Sequence, residues 1–163
     1  MIHLYSWNTS NGKKISVMLE ECGLPYEFHP INISKDEQSQ PDFLQISPNN
    51  RIPALIATDG PDGKEISVFE SGAIMIYLAE KTGKFMSKDP RKRIETLEWL
   101  MWQMGGLGPM QGQAHHFRRA AKEDIPYGVK RYTDETNRLY GVLNKRLEGR
   151  EFIVDELSIA DFA

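Results

Sequence analysis

Apolar residues occur as short runs in the first half of the chain and as long helical stripes in the second. Ile2-His3-Leu4-Tyr5 reads as a short strand, followed by a polar loop from Ser6 to Gly12. From Lys13 to Cys22 the apolar positions Ile15, Met18, Leu19 and Cys22 share one helical face, and Gly23 supplies a stop. A second strand is expected over Tyr26 to Ile33, where the alternation is too loose to assign faces. Ser39 has the character of an N-cap, with Pro41 in the first turn and Asp42 at the capping-box position, so a short helix should end near Ile46. Ala54 to Thr58 and Ile66 to Phe69 read as strands around the turn Asp59-Gly60-Pro61-Asp62-Gly63. Ser71 to Thr82 reads as a helix closed by Gly83.

This order combines a parallel crossover with a hairpin and predicts a small mixed α/β sheet covered on both faces. Lys84 to Asp89 is a linker, after which the pattern becomes all-helical. Pro90 opens a long stripe carrying Leu97, Leu100, Met101 and Met104, which Gly105, Gly106, Gly108 and Pro109 interrupt. A kink or a close approach is expected there, with the helix resuming through Phe117. A second long helix, Tyr127 to Leu147, presents Tyr132, Leu139, Tyr140, Val142, Leu143 and Leu147. Two domains are therefore expected, residues 1–84 and residues 90–163. Ser158-Ile159-Ala160-Asp161 is a capping box that announces a helix, yet only Phe162 and Ala163 follow. The helical domain is accordingly read as partial, incomplete at the C-terminus.

Composition narrows the function classes. The chain has 163 residues, is 40% hydrophobic and 26% charged, and carries a net charge of −3. No broad basic surface argues for nucleic acid. No apolar stretch approaches the roughly 18 residues a membrane helix requires, and Met1 leads straight into a strand instead of a signal peptide. The single cysteine cannot form an internal disulfide, which points to a reducing, cytoplasmic setting.

The richest chemistry lies in Asn49-Asn50-Arg51-Ile52-Pro53-Ala54 and Phe69-Glu70-Ser71-Gly72. Proline cannot donate to a sheet ladder, so Pro53 must open its strand or sit at an edge. A cis Ile52–Pro53 bond would direct the Ile52 main chain toward a ligand. Ser71 suits an N-cap, and the free amides and dipole of the helix behind it suit a carboxylate. Glu70 beside it suits an ammonium, so the two charges of an amino acid can be read side by side.

Those segments, with Thr9-Ser10-Asn11-Gly12, Trp102-Gln103-Met104-Gly105-Gly106-Leu107-Gly108-Pro109-Met110 and Ser158-Ile159-Ala160-Asp161, resemble the glutathione transferase superfamily across nearly the whole chain. Within it the chain is similar to the bacterial Nu-class enzymes, which are glutathione-dependent disulfide-bond reductases. The resemblance implies a thioredoxin-like N-terminal domain, a C-terminal helical domain and a homodimer. It also implies glutathione as co-substrate, with a small disulfide or an electrophile as the second substrate. Asn11 becomes the amide donor to the glutathione sulfur and Thr9 a second donor, as a loop hydroxyl free to rotate. Glu70 and Ser71 become the γ-glutamyl site, the main chain at Ile52–Pro53 pairs with the cysteinyl unit, and Gln38 and Arg131 become further glutathione contacts. Ser10 departs from the proline usual in the family.

Each assignment has a plainer counterpart. Asn11 can be only the N-cap of the first helix, Arg131 only a solvated charge, and Tyr5 only a packed strand residue. Cys22 lacks a Cys-x-x-Cys partner and reads as a structural thiol. His115 and His116 point about 100° apart on a helix and have no carboxylate at ligand spacing, so no metal is expected. Three classes of function remain open: a disulfide reductase, a conjugating transferase acting on electrophiles, and a non-catalytic binding or regulatory module.

Overall fold

The computed structural model describes residues 1–163, which divide into two compact units, Met1–Met86 with Phe162, and Ser87–Asp161 with Ala163. The first is built on strands β1 (Ile2–Ser6), β2 (Tyr26–Pro30), β3 (Ala54–Ala57) and β4 (Ile66–Phe69), in the order β2-β1-β3-β4. β1 runs parallel to β2 and antiparallel to β3, and β3 to β4, so the expected crossover and hairpin are both present. The helices of this unit are α1 (Ser10–Cys22), α2 (Pro41–Ile46) and α3 (Ser71–Thr82).

Alternation along β1 decides what each face does. Ile2 and Leu4 are buried and lie in register with Ala57 and Leu55 of β3, which are equally inaccessible. The fully buried Ile15, Met18 and Leu19 of α1 and Ile74, Met75 and Leu78 of α3 complete this core, and the two helices pack side by side. The opposite face carries His3 and Tyr5, with α2 lying against β3 and β4. There Ser67 donates its hydroxyl to the Ile46 carbonyl at 3.0 Å, tying β4 to the end of α2.

Several local expectations shift. α1 begins at Ser10, three residues before the apolar stripe, because Thr9 caps it. β2 ends at Pro30, after which the chain turns through two 3₁₀ segments, Ile33–Lys35 and Glu37–Ser39. Ser39 closes the second of these and does not cap α2, whose N-cap is Gln40 without a side-chain bond.

In the second unit, α4 (Pro90–Trp102) does not break at the glycines. It passes through a π-helical turn, Gln103–Leu107, into α5 (Gly108–His115), and a second such turn covers His116–Ala120. Trp102, Gln103, Leu107 and Gly108 all keep right-handed helical backbone. A glycine costs a helix about 1 kcal/mol relative to alanine, too little to end one that is well packed. α5 packs on α6 (Pro126–Arg146), where Leu139 is buried. The capping box at Ser158 forms as expected: Asp161 accepts from the Ser158 amide at 2.9 Å, and Ser158 Oγ accepts from Ala160 at 3.2 Å, opening α7 (Ile159–Phe162).

Candidate active site

Sheet register gathers most of the candidate residues. Tyr5 near the end of β1 faces Ala54, and Ala54 faces Phe69. The exit of β1, the entry of β3 and the exit of β4 therefore share one end of the sheet. Thr9 and Asn11 follow the first, Ile52 and Pro53 precede the second, and Glu70 and Ser71 follow the third.

At the first corner, Thr9 is the N-cap of α1, in extended backbone, and its Oγ1 accepts from the Gly12 amide at 3.1 Å. This corrects the expectation that Asn11 caps the helix. Asn11 is the second helical residue, and its side chain is exposed. The same bond holds the Thr9 oxygen in place, so its hydroxyl is not the loosely rotating loop group expected, and its own proton remains available to donate. The turn is tight: a Cβ on Gly12 would stand 2.3 Å from the Trp7 carbonyl oxygen and 2.4 Å from Ser6 Oγ. Only glycine lets α1 start so close to the strand exit. No acidic residue stands in the first turn of α1, so nothing there neutralises the positive end of its dipole.

The second corner is shaped by the loop from Ser47. Ser47 is completely buried and donates its hydroxyl to the Arg51 carbonyl at 2.8 Å, while the Asn50 amide bonds the Ser47 carbonyl at 2.9 Å. Asn50 takes the left-handed conformation that this turn requires, φ 58°, which asparagine tolerates better than most residues. The Ile52–Pro53 bond is cis, and both residues lie outside the β3 ladder, which starts at Ala54. Pro53 is buried and Ile52 half-buried.

The third corner departs from expectation in its backbone. Glu70, not Ser71, is the N-cap of α3, with φ 72° and ψ 119°. Ser71 is the first helical residue and is buried. A non-glycine residue in this region carries about 1–3 kcal/mol of strain. The conformation leaves the Glu70 side chain exposed beside the first turn of α3, and Asn49 Nδ2 donates to its Oε1 at 3.1 Å.

Gln38 lies in the Glu37–Ser39 turn, where its Nε2 donates to Asp36 Oδ1 at 2.8 Å. Its Oε1 is buried without a hydrogen-bond partner. The neighbouring Ser39 hydroxyl reaches Asn50 Oδ1 at 3.3 Å, so this turn is joined to the loop that leads to Pro53. Arg131 belongs to the other compact unit. It is exposed on α6, in a hollow lined also by Tyr127, Lys130, Asp134 and Arg138.

The remaining candidates settle into structural roles. Tyr5 is half-buried and stacks on His29, ring centroids 4.6 Å apart at 13°, on the sheet face opposite Leu4. Burial first, then the carboxylates of Glu27 and Glu65, raise its pKa, so it remains a protonated phenol. Cys22 is buried at the last turn of α1, its Sγ 3.8 Å from Thr82 Oγ1. His115 and His116 are both exposed. One grouping escaped the sequence reading: His3, Glu27 and His29 converge on the sheet face that carries Tyr5. The register His3↔Glu27 and Tyr5↔His29 was the missing information, and loose alternation in β2 hides it.

Comparison with known proteins agrees with this architecture. Residues 1–80 match the family described as Glutathione S-transferase, N-terminal domain. The disulfide-bond oxidoreductase YfcG of Escherichia coli is 54% identical over 165 residues, covering 100% of this chain and 77% of that protein. A glutathione transferase from Pseudomonas putida, solved with one glutathione disulfide bound per subunit, superposes with a TM-score of 0.97 at 48% identity, over 99% of this chain and 71% of the other. One from Burkholderia graminis, with two glutathione molecules bound per subunit, gives 0.97 at 50% identity, over 99% and 69%. The fold defines a thioredoxin-like domain followed by a helical one. The chain belongs to the glutathione transferase superfamily, among its Nu-like members.

Proposed function

We propose that the protein is a glutathione-dependent disulfide-bond reductase that uses the thiolate of bound glutathione as its nucleophile. The observation that carries this reading is the 54% identity, over the whole of this chain, to a disulfide-bond oxidoreductase. A first glutathione thiolate attacks a disulfide RS–SR′, forming GS–SR and expelling R′S⁻, which takes a proton from solvent. A second glutathione thiolate attacks GS–SR, giving glutathione disulfide and RS⁻. Two electrons pass from two glutathione thiols to one substrate disulfide, and no sulfur of the protein enters the exchange. The two similar structures hold two glutathiones and one glutathione disulfide per subunit, the species that begin and end this sequence.

The chain's residues supply position and charge. The Glu70 carboxylate suits the γ-glutamyl ammonium, and Ser71 with the amides opening α3 suits its carboxylate. The Ile52 main chain pairs with the cysteinyl unit, and the unpartnered Gln38 Oε1 offers an acceptor. Arg131 is assigned to a glutathione carboxylate. At the sulfur, lowering a thiol pKa by about two units requires roughly 2.7 kcal/mol of preference for the thiolate. A helix N-terminus contributes about 0.3–1 kcal/mol and each hydrogen bond to a charged group about 1.5–3. Asn11, Thr9 and the start of α1 together reach that sum without a protein base.

A homodimer in a reducing, cytoplasmic compartment completes the reading. Its support is family membership and a lone buried cysteine. No helix is long and apolar enough to cross a membrane. The deciding experiment measures reduction of hydroxyethyl disulfide by glutathione beside conjugation of a chloronitrobenzene. Fast reduction with weak conjugation is the expected result. Fast conjugation alone would make the protein a conjugating transferase, and glutathione binding with neither reaction would make it a binding module.

A further inference from the structure

We propose that His3, Glu27 and His29 form a divalent transition-metal site, best suited to zinc, on the open face of the sheet. The three ligand groups come from two adjacent strands. His3 lies opposite Glu27 in the parallel β1–β2 pair, and His29 stands two residues further along β2, so the pleat sends all three side chains to one face. His3 Nδ1 and His29 Nε2 are 3.0 Å apart, His3 Nδ1 and Glu27 Oε2 3.4 Å, and His29 Nε2 and Glu27 Oε1 3.6 Å. A tetrahedral zinc ion with bonds of about 2.0–2.1 Å separates its ligand atoms by about 3.3–3.4 Å. The two Glu27 separations involve different oxygens, and one ligand atom from each residue lies within 4.8 Å of the others, so a rotation of the Glu27 carboxylate is what brings a single oxygen to the zinc distance from both imidazoles.

The chemistry of the trio favours the same conclusion. The two facing ring nitrogens, 3.0 Å apart, share a single hydrogen bond. The Glu27 oxygens then meet the same nitrogens at separations too long for a strong bond. A cation satisfies all three donors at once. Two imidazoles and one carboxylate suit zinc and its first-row neighbours better than calcium or magnesium, which prefer all-oxygen sets. The side chains are 25%, 31% and 60% exposed for His3, His29 and Glu27, which leaves an entry path and a fourth position for water. Tyr5, stacked on His29, holds that ring in orientation. β2 is an edge strand paired only with β1, so the ion would pin the edge to the strand that leads into the Thr9 loop.

The test is calorimetric titration of tag-free, chelator-stripped protein with zinc chloride, in the absence of glutathione because its thiol binds zinc. Cobalt(II) absorption reports the coordination geometry in parallel. One equivalent per chain should bind with micromolar or tighter affinity, and bound cobalt should give tetrahedral d–d bands. His3→Gln and His29→Gln should each weaken binding by at least about tenfold, with circular dichroism confirming the fold. The double substitution His115→Gln with His116→Gln removes the other two of the four histidines and should leave binding unchanged. Absence of one-site binding would overturn the proposal. So would binding that survives His29→Gln, or binding lost in the His115/His116 double variant.

Discussion

Asn49 and Glu70, 21 residues apart, are joined side chain to side chain: Asn49 Nδ2 donates to Glu70 Oε1 at 3.1 Å. The bond links the loop before the cis proline to the start of α3, and the second carboxylate oxygen is the one the proposed function gives to the ligand ammonium. Removing the Glu70 carboxylate deletes a charge-assisted partner worth about 1.5–3 kcal/mol. Glu70→Ala should therefore weaken glutathione binding roughly tenfold to a hundredfold, with the fold intact. Asn49→Ala should cost less, because the carboxylate stays and only its orientation loosens. Calorimetry decides, and equal affinity in Glu70→Ala would remove these residues from the site.

The same residue separates stability from binding. At φ 72° Glu70 holds a conformation that glycine adopts without steric cost. Glu70→Gly should raise the unfolding free energy by about 1 kcal/mol, the strain relieved exceeding the extra chain entropy. Glutathione affinity should fall as far as in Glu70→Ala. Urea titrations of the two variants provide the comparison, and a Glu70→Gly protein less stable than Glu70→Ala would show that the backbone stores no strain there.

Cys22 should be dispensable for turnover. Helix rise places it about 17 Å along α1 from Asn11, and its thiol lies in the core beside Thr82. Cys22→Ala should cost about 1 kcal/mol through lost packing, and turnover per folded molecule should not change. Trapping a mixed disulfide between Cys22 and glutathione during turnover would contradict this and give the protein its own redox sulfur.

Much of this was legible in the sequence, and what was not has physical causes. The succession of strands and helices along the chain could be read because apolar runs of four or five residues alternate with strong turn signals, such as Asp59 to Gly63. The capping box at Ser158 could be read because its residues bond locally. Backbone conformations that a side chain does not announce stayed hidden. Nothing about glutamate suggests φ 72°, so the sequence points to Ser71 as the cap. Ser10-Asn11-Gly12 looks like loop, yet it forms the first turn of α1 because Thr9 caps it. The glycines after Met104 announce a kink or a close approach but not its form: Gly108 fits against Gln103, where a Cβ would lie 3.0 Å from its Nε2, and the helix continues through a π turn. The His3–Glu27–His29 grouping depends on strand register, which loosely alternating residues in β2 do not encode.

In the helical unit, Arg146 makes three contacts at once. Its Nε donates to the Ile153 carbonyl at 2.6 Å, its Nη2 pairs with Glu95, and its guanidinium lies 5.3 Å from the centre of the Trp99 ring. With its side chain only 17% exposed, these are largely shielded from solvent. Arg146→Ala should destabilise the protein by about 2–3 kcal/mol, and Arg146→Lys should recover only part of this because the planar fork is lost. Arg138→Ala, which breaks an exposed pair with Glu135, should be close to neutral. Similar losses in denaturant melts of Arg146→Ala and Arg138→Ala would refute the ranking.

In the proposed mechanism Thr9 and Asn11 divide the work at the sulfur, a division that mutation can resolve. Thr9 Oγ1 is committed as acceptor to the Gly12 amide, so Thr9→Ala removes a helix cap as well as a donor and should lower stability by about 1 kcal/mol. Thr9→Ser keeps the hydroxyl and should restore both stability and rate. Asn11 is exposed at the second helical position, and Asn11→Ala should leave stability nearly unchanged. Its effect should fall on chemistry instead, lowering disulfide reduction by about tenfold to a hundredfold through loss of one charge-assisted bond. Ser10→Ala should do almost nothing. The pH profile carries the discriminating information. Its rising limb reports ionisation of bound glutathione, and a donor to the sulfur favours the thiolate, so removing the donor must move that limb to higher pH. The limb should move up in Asn11→Ala and in Thr9→Ala, and stay in place in Ser10→Ala and Tyr5→Phe. A limb that moves only in Tyr5→Phe would transfer thiol activation to the tyrosine stacked on His29.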